Sequence, residues 1–542
     1  MTRLKKILET RIAGIICFLF AITNRIIFSS LYSLVGTDTK VQLTYAQNLL
    51  AGKGMGVTKF FTSDLNAPIY DTNLMFPPGF SLTIIPFLKL FGNDEFEAVH
   101  AFDMLTSIFF VWSVCRLGKK AGLPAAFNNI VVLIAGCAQY LFFMSWSSTD
   151  AISICFLLFA LTETINVIHK GEETSLLRII GCGLLFCLPY FFRYMYLPVA
   201  GVLPLFILLS GFNLKNKNLK VAGLKLLGVS VFLITVLSVI SLLTYGNALY
   251  LNNFGRGFFI NQLTDWYPFL PASFVNLDFA AQLIEKTSPL NYSQAMFYFN
   301  IINILLVILF SFLFGRYIYF HQRDLFSSRH SAFITIGSFI SIFIILLLTY
   351  LSFTYKEIEW GYISWTYISD ERYFAFVYIF MPLLFFICLY YYKAFFKRPL
   401  TRFFVFIAVC CFAIEVTHGI YYNIKILRHH KDLVAIRESE NVYKRFPAII
   451  KEIKEQNPDR EVFVSSPDLF YTHDASQLGY KAIFDYQNLS KIDLAVTKKS
   501  ILILPIHTNE VIIMKDYIEK KKPKSVLTID GVFFYAEEIN PE

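Results

Sequence analysis

The chain of 542 residues is strongly apolar, with 56% hydrophobic, 17% aromatic and only 16% charged residues. A soluble domain carries about 25% charged residues, and no water-soluble fold of this size could bury 58 phenylalanines. The composition excludes a soluble enzyme, a disordered chain and a disulfide scaffold. It predicts a polytopic α-helical membrane protein, in agreement with a mean hydropathy of +0.54.

The net charge of +9 comes from basic residues that are scattered along the chain rather than clustered. A scattered positive charge does not indicate a nucleic-acid partner. All nine cysteines lie inside apolar runs, without a CxxC motif. This placement favours neither a metal-thiolate site nor structural disulfides, and the cysteines are interpreted as small hydrophobic residues in the membrane.

A spanning helix needs about 20 mostly apolar residues. The apolar runs predict eleven spans, near residues 12–34, 98–116, 125–146, 150–168, 177–192, 195–211, 221–245, 298–319, 331–353, 373–392 and 402–422. The segment 78–91 is shorter and contains Pro86 and Lys89. It is predicted to be an interfacial helix that lies on the membrane.

Lysine and arginine are enriched in the N-terminal segment and in every second loop after it. Because cytoplasmic loops carry an excess of these residues, the pattern predicts a cytoplasmic N-terminus and an outer C-terminal segment. A span at 78–91 would reverse every later loop and violate the rule. The outer side then contains a long first loop, residues 35–97, and the composition favours a bacterial inner membrane.

The composition becomes that of a soluble domain near residue 427. REVFVSS, SILILPI and SVLTIDGVFFYAEEI have the pattern of strands, whereas VYKRFPAIIKEIKEQ and EVIIMKDYIEKKK have that of amphipathic helices. We therefore expect a transmembrane domain over residues 1–426, which includes the outer loop, and a small outer α/β domain over 427–542. In the tail, His473 and Asp474 are adjacent, but no third catalytic partner is evident.

Ionisable side chains gather at the predicted outer ends of four spans. An ionisable group at membrane depth costs about 2.5–3.5 kcal/mol on insertion scales, so such groups are candidates for function. They comprise three carboxylates, two guanidiniums and neighbouring tyrosines: Asp38, Asp150, Arg193 with Tyr194, and the run Glu371, Arg372 and Tyr373.

Each of these groups also has a purely structural interpretation. Asp38 and Asp150 could cap helices, since aspartate before an apolar run accepts free backbone N–H groups. Arg193 could extend its charge to the membrane interface. Glu371 and Arg372 could form an exposed salt bridge, which is worth less than about 1 kcal/mol. The sequence leaves these alternatives open.

Several segments resemble the GT-C superfamily of glycosyltransferases, including the protein mannosyltransferase and aminoarabinose transferase type. TDTKVQLTYAQNLLAGKGMG and MFPPGFSLTIIPFLKLFGND are similar to the first outer loop of that superfamily, with matches at Tyr45, Leu49, Gly52, Gly54, Pro77, Pro78, Gly79, Phe91 and Gly92. STDAISICFLLFAL resembles the segment with the second family acid. ERYFAFVYIFMPLL resembles the E-R-Y-x-x-x-x-x-P segment, and the tail is like the outer domain of many bacterial members.

The resemblance implies an inverting transferase that moves a sugar from a polyprenyl-phosphate donor to a lipid, glycan or protein acceptor. It implies Asp38 as general base, with Asp150 orienting the acceptor or a cation or holding the first loop. The leaving phosphate would be bound by Arg372 and, as second choice, Arg193. The substrate would be contacted by Tyr45, Tyr194, Glu371 and Tyr373.

One departure from the family concerns metal binding. Asp38 is followed by Thr39 and Lys40, so the second acid that many relatives have beside the first is absent. The resemblance therefore leaves open whether a divalent metal is needed, and no other cofactor is implied.

Other functional classes also fit a polytopic protein with these charges. A glycan polymerase or ligase would use the same lipid carriers. A lipid-linked sugar transporter or flippase would be expected to have internal repeats and charges near the membrane midplane, and neither pattern is evident. A non-catalytic scaffold or sensor has no need of charges at four span ends.

Overall fold

The computed structural model describes most of the chain. The described residues are 9–32, 35–61, 64–71, 76–145, 148–170, 173–245, 270–354, 358–360, 363–365, 371–392, 397–428, 430–466, 468–483, 498–507, 518–520, 522–529 and 532–539. The chain forms two compact units. One comprises Met1–Ser33 with His100–Lys425, and the other Leu34–Val99 with Ile426–Glu542.

Helices dominate the described residues. In chain order they are α1 (Arg11–Tyr32), α2 (Thr37–Leu50), α3 (Pro78–Leu90), α4 (Glu95–Ala121), α5 (Ala125–Cys137), α6 (Ser148–Lys170), α7 (Leu176–Phe192), α8 (Leu197–Asn213), α9 (Lys217–Tyr245), α10 (Leu277–Thr287), α11 (Tyr292–Phe320), α12 (Arg329–Thr354), α13 (Ala375–Tyr391), α14 (Pro399–Arg428), α15 (His430–Gln456) and α16 (Leu469–Gln477). The strands are β1 (Val57–Phe61), β2 (Asp64–Asp71), β3 (Ile358–Trp360), β4 (Ile363–Trp365), β5 (Glu461–Ser465), β6 (Lys481–Ile483), β7 (Ser500–His507), β8 (Lys524–Ile529) and β9 (Val532–Ile539).

The predicted fold class, a polytopic helical membrane protein with a small α/β region, is confirmed. Among the described residues, nine helical segments are long and apolar enough to cross a membrane. A tenth is formed if α5 and the short helix Gln139–Ser145, which meet at 67°, are one broken span. The remaining predicted span coincides with α7, whose 17 residues are fewer than the 20 of the shortest of the nine.

Burial divides the helices of the first unit into an inner and an outer set. α6, α12 and α13 are mostly buried and supply much of the apolar core. In contrast, α9, α11 and α14 expose large apolar side chains along their length, such as Phe232, Phe312 and Phe406. Exposed apolar helices of this kind are stable where lipid replaces water, so the outer set forms the lipid-facing surface.

The break after α5 is stabilised by two polar residues of α1. A helix end leaves its last carbonyl oxygens without intrahelical partners, and lipid cannot supply donors for them. Asn24 Nδ2 donates to Gly136 O at 3.0 Å and Arg25 Nε donates to Ala135 O at 2.8 Å. Arg25 Nη2 also donates to Leu141 O at 2.7 Å. Arg25 is fully buried and thus acts as a cap for the broken segment.

Gly136 allows α1 to approach this break closely. A Cβ at Gly136 would lie 2.3 Å from the Cβ and 2.5 Å from the Cα of Ala21. Real Cβ atoms do not approach other atoms to such distances, so only glycine fits between the two helices. The close approach brings Asn24 and Arg25 within hydrogen-bonding distance of the α5 carbonyls.

The second unit joins the first long loop to the tail. In the loop, α2 is followed by the antiparallel hairpin β1–β2 and by α3. In the tail, five strands form a sheet of order β6-β5-β7-β9-β8, in which β5 is parallel to β6 and β7, and β9 is antiparallel to β7 and β8. α15 packs on β5, and a core that includes Phe446, Val464, Ile503 and Phe534 fills the space between helix and sheet.

Several elements differ from the sequence-based expectation in detail. SVLTIDGVFFYAEEI forms two strands, β8 and β9, rather than one. The predicted interfacial segment 78–91 is the 13-residue helix α3, too short to cross a membrane. The predicted helix at 510–522 falls largely outside the described residues, of which 518–520 are helical. The tail also contains α16 and β6, which the sequence analysis did not predict.

Candidate functional site

The first unit contains a buried ion pair between Asp150 and Arg193. Asp150 lies in the first turn of α6, and Arg193 follows directly on the end of α7. Arg193 Nη2 donates to Asp150 Oδ2 at 2.6 Å, with both side chains almost completely shielded from solvent. The backbone at Arg193 is extended, with φ −145° and ψ 117°. The chain therefore leaves the helix axis at this residue and continues into the short helix Tyr194–Tyr196.

The packing of α6 against α7 fixes both members of the pair. The two helices run side by side, and the rings of Phe156 and Phe192 stack with centroids 5.7 Å apart. Because Asp150 is the third residue of α6, it stands inside the first helical turn rather than at the capping position. A carboxylate there is also favoured by the helix dipole. The described geometry thus gives Asp150 a specific cationic partner.

Tyr373 extends this cluster from a distant part of the chain. The guanidinium carbon of Arg193 lies 5.8 Å from the centroid of the Tyr373 ring, which is within the range of a cation–π contact. Tyr373 belongs to the short helix Glu371–Phe374, which also contains the half-buried Arg372. Three of the four predicted charged segments therefore meet within the first unit. The side chain of Glu371 lies outside the described residues.

Tyrosines border the ion pair on the α7 side. The rings of Tyr190 and Tyr194 have centroids 5.9 Å apart, and Tyr196 is fully buried within electrostatic range of Asp150 and Arg193. Tyr194 is one of the predicted substrate-binding residues. Tyr196 was not identified from the sequence, although it shares the PYFFRYMYLP segment.

Asp38 and Tyr45, the other predicted site residues, belong to the second unit and lie on α2. Asp38 is the second residue of the helix and is partly exposed, whereas Tyr45 is buried. The capping position is occupied by Gly36, so Asp38 is not the N-cap residue in this structure. The backbone carbonyl of Asp38 accepts a hydrogen bond from Gln42 Nε2 at 3.1 Å.

The second unit also contains a charged cluster centred on Lys40. The ammonium group donates to Glu95 Oε1 and Oε2 at 2.8 and 2.7 Å and to Asp474 Oδ1 at 2.6 Å. Lys40 is almost completely buried, and the two carboxylates are nearly so. Its three donors are thus matched by three acceptors. In the sequence, Lys40 is evident only as a departure from the family pattern, and the adjacent His473 and Asp474 have no evident third catalytic partner.

Burial and charge act in opposite directions within this cluster. Burial alone would lower the pKa of Lys40, but the nearby carboxylates of Glu95 and Asp474 outweigh it, so this pKa lies above its usual value. Burial raises the pKa of Asp474 to about 6, and the charge of Glu95 adds to this effect, although Lys40 opposes it. The lysine is therefore charged at neutral pH.

A polar cavity of about 450 Å³ opens beside this cluster. It is lined by Lys40, Gln47, Glu95, Lys444, Asp474 and Gln477, among others. On the exposed side Lys444 Nζ lies 2.9 Å from Asp94 Oδ2. The aromatic rings of Tyr443, Phe470 and Phe96 stack on one another, with the ring centroids of Tyr443 and Phe470 4.3 Å apart.

The described side chains do not form a metal-binding group. No three histidine, cysteine, aspartate or glutamate residues within the described ranges are placed so that they could hold a metal ion.

Comparison with known proteins supports the fold. No protein-family model matches the chain, and neither does any curated protein. The oligosaccharyltransferase of Archaeoglobus fulgidus in the apo form superposes with a TM-score of 0.53 at 12% identity over 93% of this chain and 70% of that one. The same enzyme tethered to an acceptor peptide with an NVT sequon gives 0.51 at 11% identity over 97% and 74%.

A further structure, ArnT from Cupriavidus metallidurans bound to undecaprenyl phosphate, aligns with 97% of this chain and 98% of that one at 10% identity and a TM-score of 0.40. At 11% and 12% identity, the likeness to the archaeal oligosaccharyltransferase concerns the fold alone. The chain shares the fold of the archaeal oligosaccharyltransferase, and the resemblance identified from the sequence is confirmed at the level of the fold.

Proposed function

We propose that this protein is a glycosyltransferase that moves a sugar from a polyprenyl-phosphate donor to a lipid, glycan or protein acceptor on the outer face of the membrane. The observation that carries the proposal is the buried Asp150–Arg193 pair with Tyr373 in a unit of GT-C fold. Holding two charges away from water is costly. A buried pair that joins two segments and is contacted from a third by Tyr373 is typical of a functional site in membrane proteins.

The reaction is a displacement at the anomeric carbon of the sugar. The acceptor oxygen forms a new bond to this carbon while the bond from the carbon to the phosphate oxygen breaks. The acceptor proton passes to a carboxylate acting as general base, for which Asp38 is the candidate. The polyprenyl phosphate leaves with the bonding electrons, and attack from the opposite side inverts the configuration at the sugar carbon.

The leaving phosphate requires cationic donors. Arginine suits this role because its planar fork can bind two phosphate oxygens at once. In the proposal Arg193 keeps one nitrogen on Asp150 and presents another side of the fork to the phosphate, with Arg372 as a second cation. Asp150 then acts by orienting Arg193. The sequence had left three roles open for Asp150, namely orienting the acceptor, orienting a cation or holding the first loop. Tyr45, Tyr194, Glu371 and Tyr373 are proposed to contact the substrate.

The proposed orientation puts the N-terminus in the cytoplasm and the tail outside, in a bacterial inner membrane. The support is the distribution of lysine and arginine over the loops. The lipid chain of the donor would lie in an apolar groove between spans. The exposed apolar side chains of α3, Leu82 and Leu90, suit a position at the membrane surface.

The deciding experiment uses full-length protein in nanodiscs with a panel of radiolabelled undecaprenyl-phosphate sugars. Slow hydrolytic release of undecaprenyl phosphate is measured, so that no acceptor has to be guessed. Wild type should release it from at least one donor. Asp38→Asn should fold and insert normally but lose at least about a hundredfold in rate, within the usual range for general-base catalysis.

The matched control is Glu461→Gln, a carboxylate-to-amide change in the tail sheet, where Glu461 pairs with Lys481 at 2.8 Å. It should turn over like wild type. Normal release by Asp38→Asn would refute the assignment of the base. If wild type neither binds nor cleaves any donor of the panel, the proposed function itself is refuted.

Arg372 provides a separate test of phosphate binding. Arg372→Lys keeps the positive charge but loses the fork, so we expect turnover to fall by about tenfold or more. The rate of release from the best donor is the measurement, and the thermal stability of the purified variant is its control. Equal turnover by the lysine variant would contradict the proposed clamp.

A further inference from the structure

The first loop and the tail are joined by polar side chains on one face of α2 and one face of α16. Lys40 and Gln47 are seven residues apart, about two helical turns, so they lie on the same face of α2. Asp474 and Gln477 are three residues apart and share a face of α16. Lys40 donates to Asp474 at 2.6 Å, and Gln477 Nε2 donates to Gln47 Oε1 at 2.6 Å.

Glu95 completes the connection from the start of α4. It accepts two of the three hydrogen bonds from Lys40, and it accepts another from Gln47 Nε2. Hydrogen bonds to charged groups are about twice as strong as neutral ones, particularly where water is excluded. We call this set of five residues the α2 clamp; its members are Lys40, Gln47, Glu95, Asp474 and Gln477.

The polar groups of the α2 clamp form hydrogen bonds with one another. The three donors of the Lys40 ammonium meet three carboxylate oxygens, and its charge also lies 5.3 Å from the Phe470 ring centroid. Groups satisfied in this way are poor candidates for binding a ligand, although they line the open cavity. They are well suited to hold two helices in one arrangement, because removing one member leaves a buried charge without compensation.

Asp38 lies on the opposite side of α2 from the α2 clamp. At about 100° per residue, positions 38 and 40 differ by about 200° around the helix axis. The face that carries Lys40 is turned to α16 and Glu95, whereas the position of Asp38 is turned away from them. Any change in the rotation or order of α2 would thus displace the candidate general base.

We propose that the C-terminal domain is a positioning element for the general base, and that Lys40 ties α2 to it through Asp474 and Glu95. This rests on the proposed function, since it assigns the base role to Asp38. Lys40 is a positioning residue that acts through α2 and does not contact the substrate. The tail thereby keeps α2 ordered, and a base displaced by even 1 Å can lose about a hundredfold in rate.

The test combines hydrogen exchange with kinetics on the full-length protein in nanodiscs. Lys40→Met leaves two buried carboxylates without their cation, so backbone amides of residues 40–50 should exchange at least about tenfold faster. The kcat for donor hydrolysis should fall by about tenfold or more, with the KM for the donor changed less than about twofold. Gln477→Leu is a milder variant that removes only the second tie, and about threefold faster exchange is expected.

A charge-free version of the α2 clamp separates positioning from direct catalysis. The triple variant Lys40→Met, Glu95→Gln and Asp474→Asn removes the buried charges together and keeps similar side-chain volumes. Both the slow exchange of α2 and most of the kcat should return. Glu461→Gln, a change in the tail sheet at a residue that pairs with Lys481, is the control and should match wild type in both measurements.

Three outcomes would overturn the proposal: unchanged exchange of α2 in Lys40→Met and Gln477→Leu, faster exchange with unchanged kcat, or a triple variant that recovers exchange without recovering kcat. The last would make Lys40 a group that acts on the substrate. Failure of the proposed function has a different signature, namely a wild-type protein that cleaves no donor although the exchange of α2 responds to Lys40→Met as expected.

Discussion

The Asp150–Arg193 pair shows how a residue can be restricted to a single role by its surroundings. Either side chain alone would be a costly charge in an apolar bundle, and the alternatives of capping and of reaching to the interface both assume access to water or free N–H groups. Instead, Arg193 and Asp150 are buried 2.6 Å apart, so the charge of each side chain offsets the cost of burying the other. The pair is thus maintained only if both residues are present.

Asp150→Asn should therefore be strongly destabilising. It leaves Arg193 buried without its carboxylate, which costs about 3–5 kcal/mol in comparable buried pairs. Equilibrium unfolding in mixed micelles measures the change. The double variant Asp150→Asn with Arg193→Met should lose less than the sum of the two single variants. Additive losses would show that the two side chains do not depend on each other.

Because of Asp474, the stability of the second unit should depend on pH in the acidic range. Its pKa is raised to about 6, so the folded state holds this proton more tightly than the unfolded state, whose pKa is about 3.8. Its contribution to stability is therefore lost as the pH rises from about 4 to about 6, by at most about 1.4 kcal/mol per pH unit. Glu95, Lys40 and Asp468 are the charged groups that act on it.

Thermal unfolding of wild type and Asp474→Asn at several pH values measures this contribution as a difference. The wild type should lose stability relative to the variant between pH 4 and pH 6. The high pKa of Lys40 contributes stability that is complete below about pH 10.5 and constant in this window. If the stability of wild type and that of Asp474→Asn changed equally with pH, the predicted titration of Asp474 would be contradicted.

At the level of elements, the broken segment after α5 depends on α1 more than on its own sequence. Cys137 ends the helix, and Ala138 is extended with φ −68° and ψ 129°. The carbonyls freed by the break are then bound by Asn24 and Arg25. Asn423 Nδ2 in turn donates to Asn24 Oδ1 at 2.8 Å, so the cap itself is fixed from α14.

Arg25→Met should destabilise the first unit, because at least two buried carbonyls lose their donor. A loss of about 2–5 kcal/mol is expected, at about 1–3 kcal/mol for each unsatisfied group. Unfolding in mixed micelles provides the measurement. Arg316→Met is the matched control, since Arg316 is exposed on α11, and it should change stability by less than about 0.5 kcal/mol. Equal effects of the two variants would disprove the capping role.

At the level of the whole molecule, the chain returns to the second unit after more than 300 residues. After the first loop, the chain leaves the second unit at Val99–His100 and returns to it at Lys425–Ile426. Under the proposed orientation these two boundaries lie on the outer side, together with Asp38. The loops between α4 and α14 that are rich in lysine and arginine lie on the cytoplasmic side. The odd number of predicted spans is what puts the N-terminus and the tail on opposite sides.

Single-cysteine labelling in intact cells tests this orientation. The native cysteines are buried or half-buried, so the background labelling should be low. A membrane-impermeant maleimide should label Lys520→Cys, an exposed position in the tail, from outside. It should label Arg323→Cys, an exposed position between α11 and α12, only after lysis. Labelling of Arg323→Cys in intact cells would reverse the topology.

Much of the fold could be predicted from the sequence because its signals are local. Apolar runs of about 20 residues identify spans without knowledge of their neighbours, and the positions of most predicted spans match helices. The tail strands β5 and β7 were likewise predicted from short apolar runs. The Asp530-Gly531 dipeptide is a common hairpin signal and could have indicated that SVLTIDGVFFYAEEI forms two strands.

The class of protein, the positions of most helices and the ionisable groups that require compensation could be predicted from the amino-acid sequence alone. The pairing of these ionisable groups became evident from the tertiary structure. Arg193 and Asp150 are 43 residues apart and Lys40 and Asp474 are 434 apart, and no local pattern links such positions. Side-chain pairing depends on which helices pack together, and that packing is set by shape and burial summed over the whole unit.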